Sequence, residues 1–252
     1  MDLQLSGTRV LVTGGTRGIG RAIVEAFLDE GAHVGFCARD AAEVRSVEEA
    51  LAARGTVRGT SVDVGDAAAL AAWVERSAAD LGGLDTVVAN VSALAIPDTE
   101  ESWQASLNVD VMHTVRLVRA AMPHLEASAS ASIIAVSSVS GRESDFASGP
   151  YGTAKTAIIG YVHGLALQLA EKGIRANTVS PGNTYFEGGV WAGIESGDPD
   201  LYSSALGLNP TGQMGTPEEV AAPVVFLASR AARRISGTNL VVDGALTRGI
   251  QL

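Results

Sequence analysis

The sequence predicts an α/β fold: a doubly wound parallel sheet of about seven strands, with helices on both faces. Short apolar runs, most of them rich in Val or Ile, alternate with longer helical patterns from end to end. The runs read as strands covered on both faces, as parallel strands usually are. The first run, Val10-Leu11-Val12, enters a knot of glycines, and a helical pattern leaves it.

The expected strands are Arg9–Thr13, His33–Ala38, Val57–Val62, Thr86–Ala89, Ser132–Ser137, Arg175–Val179 and Asn239–Val242. Helices are expected near Gly18–Glu30, Ala41–Arg54, Ala67–Leu81, Glu101–Glu126, Tyr151–Lys172 and Pro217–Ser229. The last opens on Thr216-Pro217-Glu218-Glu219: a cap, a proline at the first position and two acids in the first turn. No linker, solenoid repeat or low-complexity tract interrupts the pattern, so residues 1–252 read as a single domain. Ala127–Ala131 reads as a loop before a strand. Pro181 to Gly215 breaks the rhythm: it is glycine-rich and holds Tyr185, Phe186, Trp191, Tyr202, Leu206 and Leu208. It is read as a lid, about residues 183–215, over a substrate pocket. An interface or surface loop is the other reading.

Composition excludes several classes. The formal net charge of −10, with no basic patch, argues against nucleic acid and against an anionic membrane surface. Cys37 is the only cysteine, so no disulfide forms within the chain, and no Cys/His cluster suggests a metal. The N-terminus, MDLQLSGTRV, lacks a basic start followed by an apolar run, and no run approaches the roughly 18 residues of a membrane span. A soluble, cytoplasmic protein is expected.

The glycine cluster is LVTGGTRGIG, Leu11–Gly20. A strand, a glycine turn and a helix N-terminus together offer backbone N–H groups to a phosphate. Gly14 allows the sharp turn, Gly18 the close approach of a pyrophosphate, and Gly20 close packing of helix on strand. A purely structural turn would use the same glycines. The second strand ends at Ala38-Arg39, where an acid would bind a ribose 2′-hydroxyl. Arg39 with Arg17 favours a 2′-phosphate instead, and therefore NADP(H) over NAD(H). The other reading is that both arginines are solvated surface groups. Asp63-Val64 ends the third strand, where a carboxylate can accept from an adenine amino group or cap a turn.

Ser137 to Lys155 reads SSVSGRESDFASGPYGTAK: a serine-ended strand, a loop, and a helix carrying Tyr151 and Lys155 on one face. A phenol with a pKa of about 10 is a poor acid at neutral pH. An ammonium neighbour and a helix N-terminus both favour the phenolate, and a drop of about three units corresponds to roughly 4 kcal/mol. Tyr151 can then donate a proton to a carbonyl oxygen as hydride reaches its carbon, with Ser138 holding the same oxygen. A YxxxK alone arises often by chance; its place after the serine-ended strand and the glycine turn gives it weight.

With these residues in view, the sequence resembles the short-chain dehydrogenase/reductase family, over nearly the whole chain and in its single-domain Rossmann branch. TGGTRGIG (Thr13–Gly20) matches the cofactor motif, Asp63-Val64 the adenine-contact pair, and Asn90 the fourth-strand asparagine motif. Pro181-Gly182 matches the turn after the sixth strand, and Val242-Asp243-Gly244 the motif near the C-terminus. The resemblance implies a catalytic tetrad of Asn108, Ser138, Tyr151 and Lys155. Tyr151 would be the general acid/base, Lys155 would bind the nicotinamide ribose, and Asn108 would hold a relay water leading to Lys155. It further implies cofactor contacts at Gly14, Thr16, Arg17, Gly18, Ile19, Arg39, Asp63, Val64, Asn90, Tyr151, Lys155, Pro181, Gly182 and Thr184.

Three positions depart from the family pattern. Ala89-Asn90-Val91-Ser92 stands for the usual NNAG, adding a side chain at Ser92. Phe186 stands where a threonine often contacts the carboxamide, with Thr184 as its substitute, and Ala245 replaces the second glycine of the C-terminal motif.

The function expected is NADP(H)-dependent reduction of a ketone, or oxidation of the matching secondary alcohol. The enzyme expected is similar to the 3-oxoacyl-ACP reductases, and the hydrophobic lid favours an acyl-thioester, cyclic or polyketide-type substrate. The alternatives are an NAD-dependent alcohol dehydrogenase, and a non-catalytic dinucleotide-binding regulator on the same fold. The resemblance implies a homo-oligomer, tetramer or dimer, pairing helices near Glu101–Glu126 and Tyr151–Lys172.

Overall fold

The structure, a computed structural model, describes residues 2–249. In chain order it runs β1 (Arg9–Thr13), α1 (Gly18–Asp29), β2 (His33–Ala38), α2 (Ala41–Leu51), β3 (Val57–Ser61), α3 (Ala67–Leu81) and β4 (Thr86–Ala89). Next come α4 (Glu100–Ala105), a π-helical stretch (Ser106–Met112), α5 (His113–Glu126), β5 (Ser132–Val136), α6 (Pro150–Leu169) and β6 (Arg175–Pro181). The chain continues through α7 (Val190–Gly197), α8 (Pro199–Gly207), α9 (Pro217–Ala228) and β7 (Asn239–Val242).

The seven strands form one parallel sheet in the order β3-β2-β1-β4-β5-β6-β7. β1 lies between β2 and β4, with Val12 opposite Phe36 on one side and Val88 on the other. The chain reverses its direction of travel across the sheet here, and the crevice at such a switch point is where α/β sheets bind ligands. Alternation along β1 feeds two cores. Val10 and Val12 pack with α1, α2 and α9, while Leu11 packs with α3, α5 and α6. Ile134 and Ile133 of β5 divide the same way.

Local chemistry fixes the helix starts. Asp40 caps α2 through the N–H groups of Ala42 and Glu43, and Asp66 caps α3 through those of Ala68 and Ala69. Thr216 and Glu219 form a reciprocal capping box on α9. α1 has no side-chain cap, so the first-turn N–H groups face the glycine turn without one.

Two expectations are corrected. The helix expected over Glu101–Glu126 is interrupted by the π-helical stretch, which inserts an extra residue into the turn and rotates the residues after it. The segment after Pro181 is not loop throughout: α7 and α8 occupy much of it, α8 starting at Pro199 with Asp198 accepting from the Leu201 N–H. Trp191, Ala205 and Met214, with Tyr185, Tyr202 and Leu206 around them, give this segment its own small apolar cluster. Its two ends are tied together, Tyr185 N–H donating to Gly215 O (2.8 Å) and Gly215 N–H to Asn183 O (2.8 Å).

Candidate active site

The glycine turn occupies the switch point. Gly18 has φ +53°, a left-handed conformation that favours glycine. A Cβ on Gly20 would collide with the Gly14 carbonyl, so its absence lets α1 start directly against the end of β1. Asn90 closes the crevice from β4. Its Nδ2 donates to Thr13 O (3.1 Å), and its backbone N–H donates to Thr13 Oγ1 (3.0 Å). Uncapped N–H groups beside glycines of this geometry fit a pyrophosphate.

His113, fully buried, reaches the same point. Its Nδ1 lies 3.1 Å from Val109 O and its Nε2 3.1 Å from Thr13 Oγ1. Burial pushes the imidazole down to about 4, so it is neutral at pH 7. A carbonyl can only accept, so Nδ1 carries the proton and Nε2 is left as an acceptor for the Thr13 hydroxyl, which also lies 3.3 Å from Val88 O.

The residues expected around the adenosine end are spread over three strand ends. Arg17 and Arg39 are exposed, and among the described residues neither pairs with a carboxylate. Glu43 stands nearby, its Oε2 accepting from Thr16 Oγ1 at 3.2 Å. Asp63 Oδ1 accepts from the Gly65 N–H (2.8 Å), which shapes the turn after β3, while Val64 is buried. Cys37 is buried in β2, where desolvation pushes its thiol up to about 12 and leaves it unreactive.

On the other side of the switch point, β5 and α6 bring Ser138, Tyr151 and Lys155 forward. Pro150 opens α6 at the position where a missing N–H costs nothing. The Ser137 hydroxyl donates to Lys155 O (2.9 Å), tying the end of β5 to the helix. Ser138 Oγ accepts from the Ser140 N–H (3.1 Å), which leaves its own proton available. The Tyr151 hydroxyl has no hydrogen bond to protein among the described residues. Lys155 Nζ lies 5.6 Å from the centroid of the Tyr151 ring and donates to Val136 O at 3.2 Å. Its side chain is only 3% exposed.

The structure does not bring Asn108 to Lys155. The Asn108 side chain turns toward the β3 end, its Nδ2 donating to Gly65 O (3.3 Å) and its Oδ1 accepting from Arg116 (2.7 Å). Two residues on, Asp110 is fully buried and its Oδ1 lies 3.2 Å from Lys155 Nζ. Two positions apart on the π-helical stretch, these two polar side chains take nearly opposite faces. Asn108 is implied by the family resemblance of SLNVD. The signal for Asp110 is its own position in SLNVD, a charge among apolar neighbours.

The motifs near β6 and β7 also change meaning. Gly182 N–H donates to Val242 O (2.9 Å), and the missing Cβ admits Asp243. Thr184 Oγ1 donates to Gly182 O (3.1 Å), so its proton is committed to the backbone. Phe186 has its ring against Gly18, and Phe146 meets Trp191 edge-to-face at 6.0 Å between centroids. Ala245 takes φ +67°.

Among the described residues, no group of three or more His, Cys, Asp or Glu could hold a metal ion. No described helix is long and apolar enough to cross a membrane.

Comparison with known proteins agrees with this geometry. The family described as Enoyl-(Acyl carrier protein) reductase matches residues 14–247. Isoepoxydon dehydrogenase patN of Penicillium expansum is 43% identical over 98% of this chain and 97% of its own. An NADPH-bound short chain oxidoreductase of Pseudomonas aeruginosa PAO1, described as containing an atypical catalytic center, superposes with a TM-score of 0.88. It is 31% identical, over 96% of this chain and 98% of its own. L-Sorbose reductase from Gluconobacter frateurii, complexed with NADPH and L-sorbose, gives a TM-score of 0.88 at 28% identity, over 99% of this chain and 100% of its own. The glycine turn at the switch point, the tyrosine–lysine pair on α6 and these relatives place the chain in the short-chain dehydrogenase/reductase family of oxidoreductases.

Proposed function

We propose that this oxidoreductase uses NADP(H) to reduce a cyclic ketone, or to oxidise the matching secondary alcohol. The observation that carries the reading is the buried Lys155 ammonium beneath the Tyr151 ring, 5.6 Å from its centroid, beside a Tyr151 hydroxyl with no protein partner among the described residues. When bound, the cofactor supplies or accepts the hydride. Tyr151 gives its proton to the carbonyl oxygen in reduction and takes it back in oxidation. Lys155 stabilises negative charge on the phenol oxygen. The free Ser138 proton binds the carbonyl oxygen, fixing it within reach of Tyr151.

A cyclic substrate is supported by the patN relative, named for its action on isoepoxydon. NADP(H) is supported by Arg17 and Arg39, unpaired among the described residues, and by the NADPH-bound relatives. Glu43, beside Thr16, is the one observation favouring NAD(H), because its charge repels a 2′-phosphate. Exposed Leu107 and Met112 on the π-helical stretch and Leu167 on α6 support a homo-oligomer, tetramer or dimer, paired through these helices.

The test is consumption of NADPH with a panel of cyclic ketones, acyl thioesters and open-chain ketosugars. Turnover of the cyclic ketones supports the proposal. Tight NADPH binding with no turnover across the panel overturns it in favour of a dinucleotide-binding regulator.

A further inference from the structure

We propose that Asp110 is a positioning residue: its ionised carboxylate holds the Lys155 ammonium and sets the pH range in which Tyr151 exchanges its proton. The inference rests on the oxidoreductase reading above.

Both charges are inside the protein. Asp110 has no exposed surface, and the Lys155 side chain is 3% exposed. An ammonium or a carboxylate alone in such a place is costly, and each is tolerated because the other is there. Asp110 Oδ2 is fixed by the Ala93 N–H at 3.0 Å. Oδ1 sits 3.2 Å from Lys155 Nζ, off the hydrogen-bonding direction, and has no other partner among the described residues. Among the described residues, the Lys155 ammonium otherwise donates only to the Val136 carbonyl, a neutral acceptor. The π-helical turn is what aims Asp110 at α6.

The other titratable and charged groups facing this pair do not replace the carboxylate. His113, next along the same face, is held neutral by burial and bonded to Val109 and Thr13. Arg116 on α5 is engaged by Asn108 and the Gly65 carbonyl. Tyr151 on α6 is the reacting group. Asp110 is therefore the negative charge that offsets Lys155 at the phenol.

Removing a negative charge eases loss of a proton from every group near it, whichever ionises first. In Asp110→Asn the alkaline limb of the pH–rate profile for ketone reduction moves to lower pH by about one unit or more. Asp110→Ser, which is smaller and also uncharged, moves it the same way. A limb that stays in place while the rate falls equally at every pH marks a packing role and overturns the proposal. A second reading needs neither variant nor turnover: the 13Cγ resonance of Asp110 in the wild-type protein at pH 7. An ionised carboxylate whose resonance moves in Lys155→Met supports the pair; a protonated carboxyl overturns it. Wild-type protein that reduces no ketone sinks the oxidoreductase reading instead, while the resonance still decides the ion pair.

Discussion

The ring of Phe186, in the segment after Pro181, rests on Gly18, so that a Cβ there would lie 2.5–2.8 Å from its carbons. The segment after Pro181 and the glycine turn are thus in direct contact, and Gly18 is constrained both by φ +53° and by that ring. Gly18→Ala is expected to weaken NADPH binding at least about tenfold, from strain and overpacking on the order of 1–3 kcal/mol. Adding Phe186→Ala removes the clash but not the backbone strain, so affinity recovers only in part. Calorimetric titration of the single and double variants checks this. An unchanged affinity in Gly18→Ala means the turn does not contact the cofactor.

His113 makes the fold sensitive to acid. Its folded pKa of about 4 lies below its ordinary value of about 6.5, so the unfolded chain binds a proton in that window and the folded chain does not. The stability it contributes is full above pH 6.5 and is lost as pH falls toward 4. The loss amounts to about 3 kcal/mol. Denaturant unfolding at pH 7.5 and pH 4 should show a smaller drop in His113→Gln than in the wild type. Equal drops in both proteins would mean that His113 is not held neutral.

Ala245 stands in the left-handed region at φ +67°, where an L side chain is strained. Ala245→Gly is expected to raise stability by about 1 kcal/mol with no change in turnover. Urea midpoints compare the two. A destabilised glycine variant would show that the methyl group packs usefully and that the strain is small.

Arg39 is exposed at the end of β2 and has no carboxylate partner among the described residues. Arg39→Asp is expected to lower kcat/KM with NADPH by at least about tenfold and to raise it with NADH, by loss of a charge-assisted contact and gain of a ribose acceptor. A preference that does not move would locate cofactor choice elsewhere, with Glu43 the next residue to change.

Much of the fold and site is legible in the sequence because it is local. Strand runs, the glycine turn and the Tyr151–Lys155 spacing come from period and residue type, and β1, β2, β4 and β7 fall on the expected residues. The features that escape depend on contacts distant in sequence. The π-helical turn leaves no periodic signature, so the family resemblance points to Asn108 where the fold presents Asp110 to Lys155. His113 looks like any helix residue until Thr13, a hundred positions away, meets its ring. Phe186 stands out as a departure, but its seat on Gly18 needs the whole segment after Pro181 folded. α8 is the avoidable miss, since Asp198-Pro199 is a good helix start that the surrounding glycines disguise.

The most direct measurement is the reductase rate of Tyr151→Phe with NADPH and a cyclic ketone, beside its affinity for NADPH. Loss of the phenol proton should cut kcat by about 10²–10⁴-fold with cofactor affinity nearly unchanged. A variant that turns over at the wild-type rate would remove Tyr151 from the chemistry and leave the lysine beneath it without a catalytic purpose.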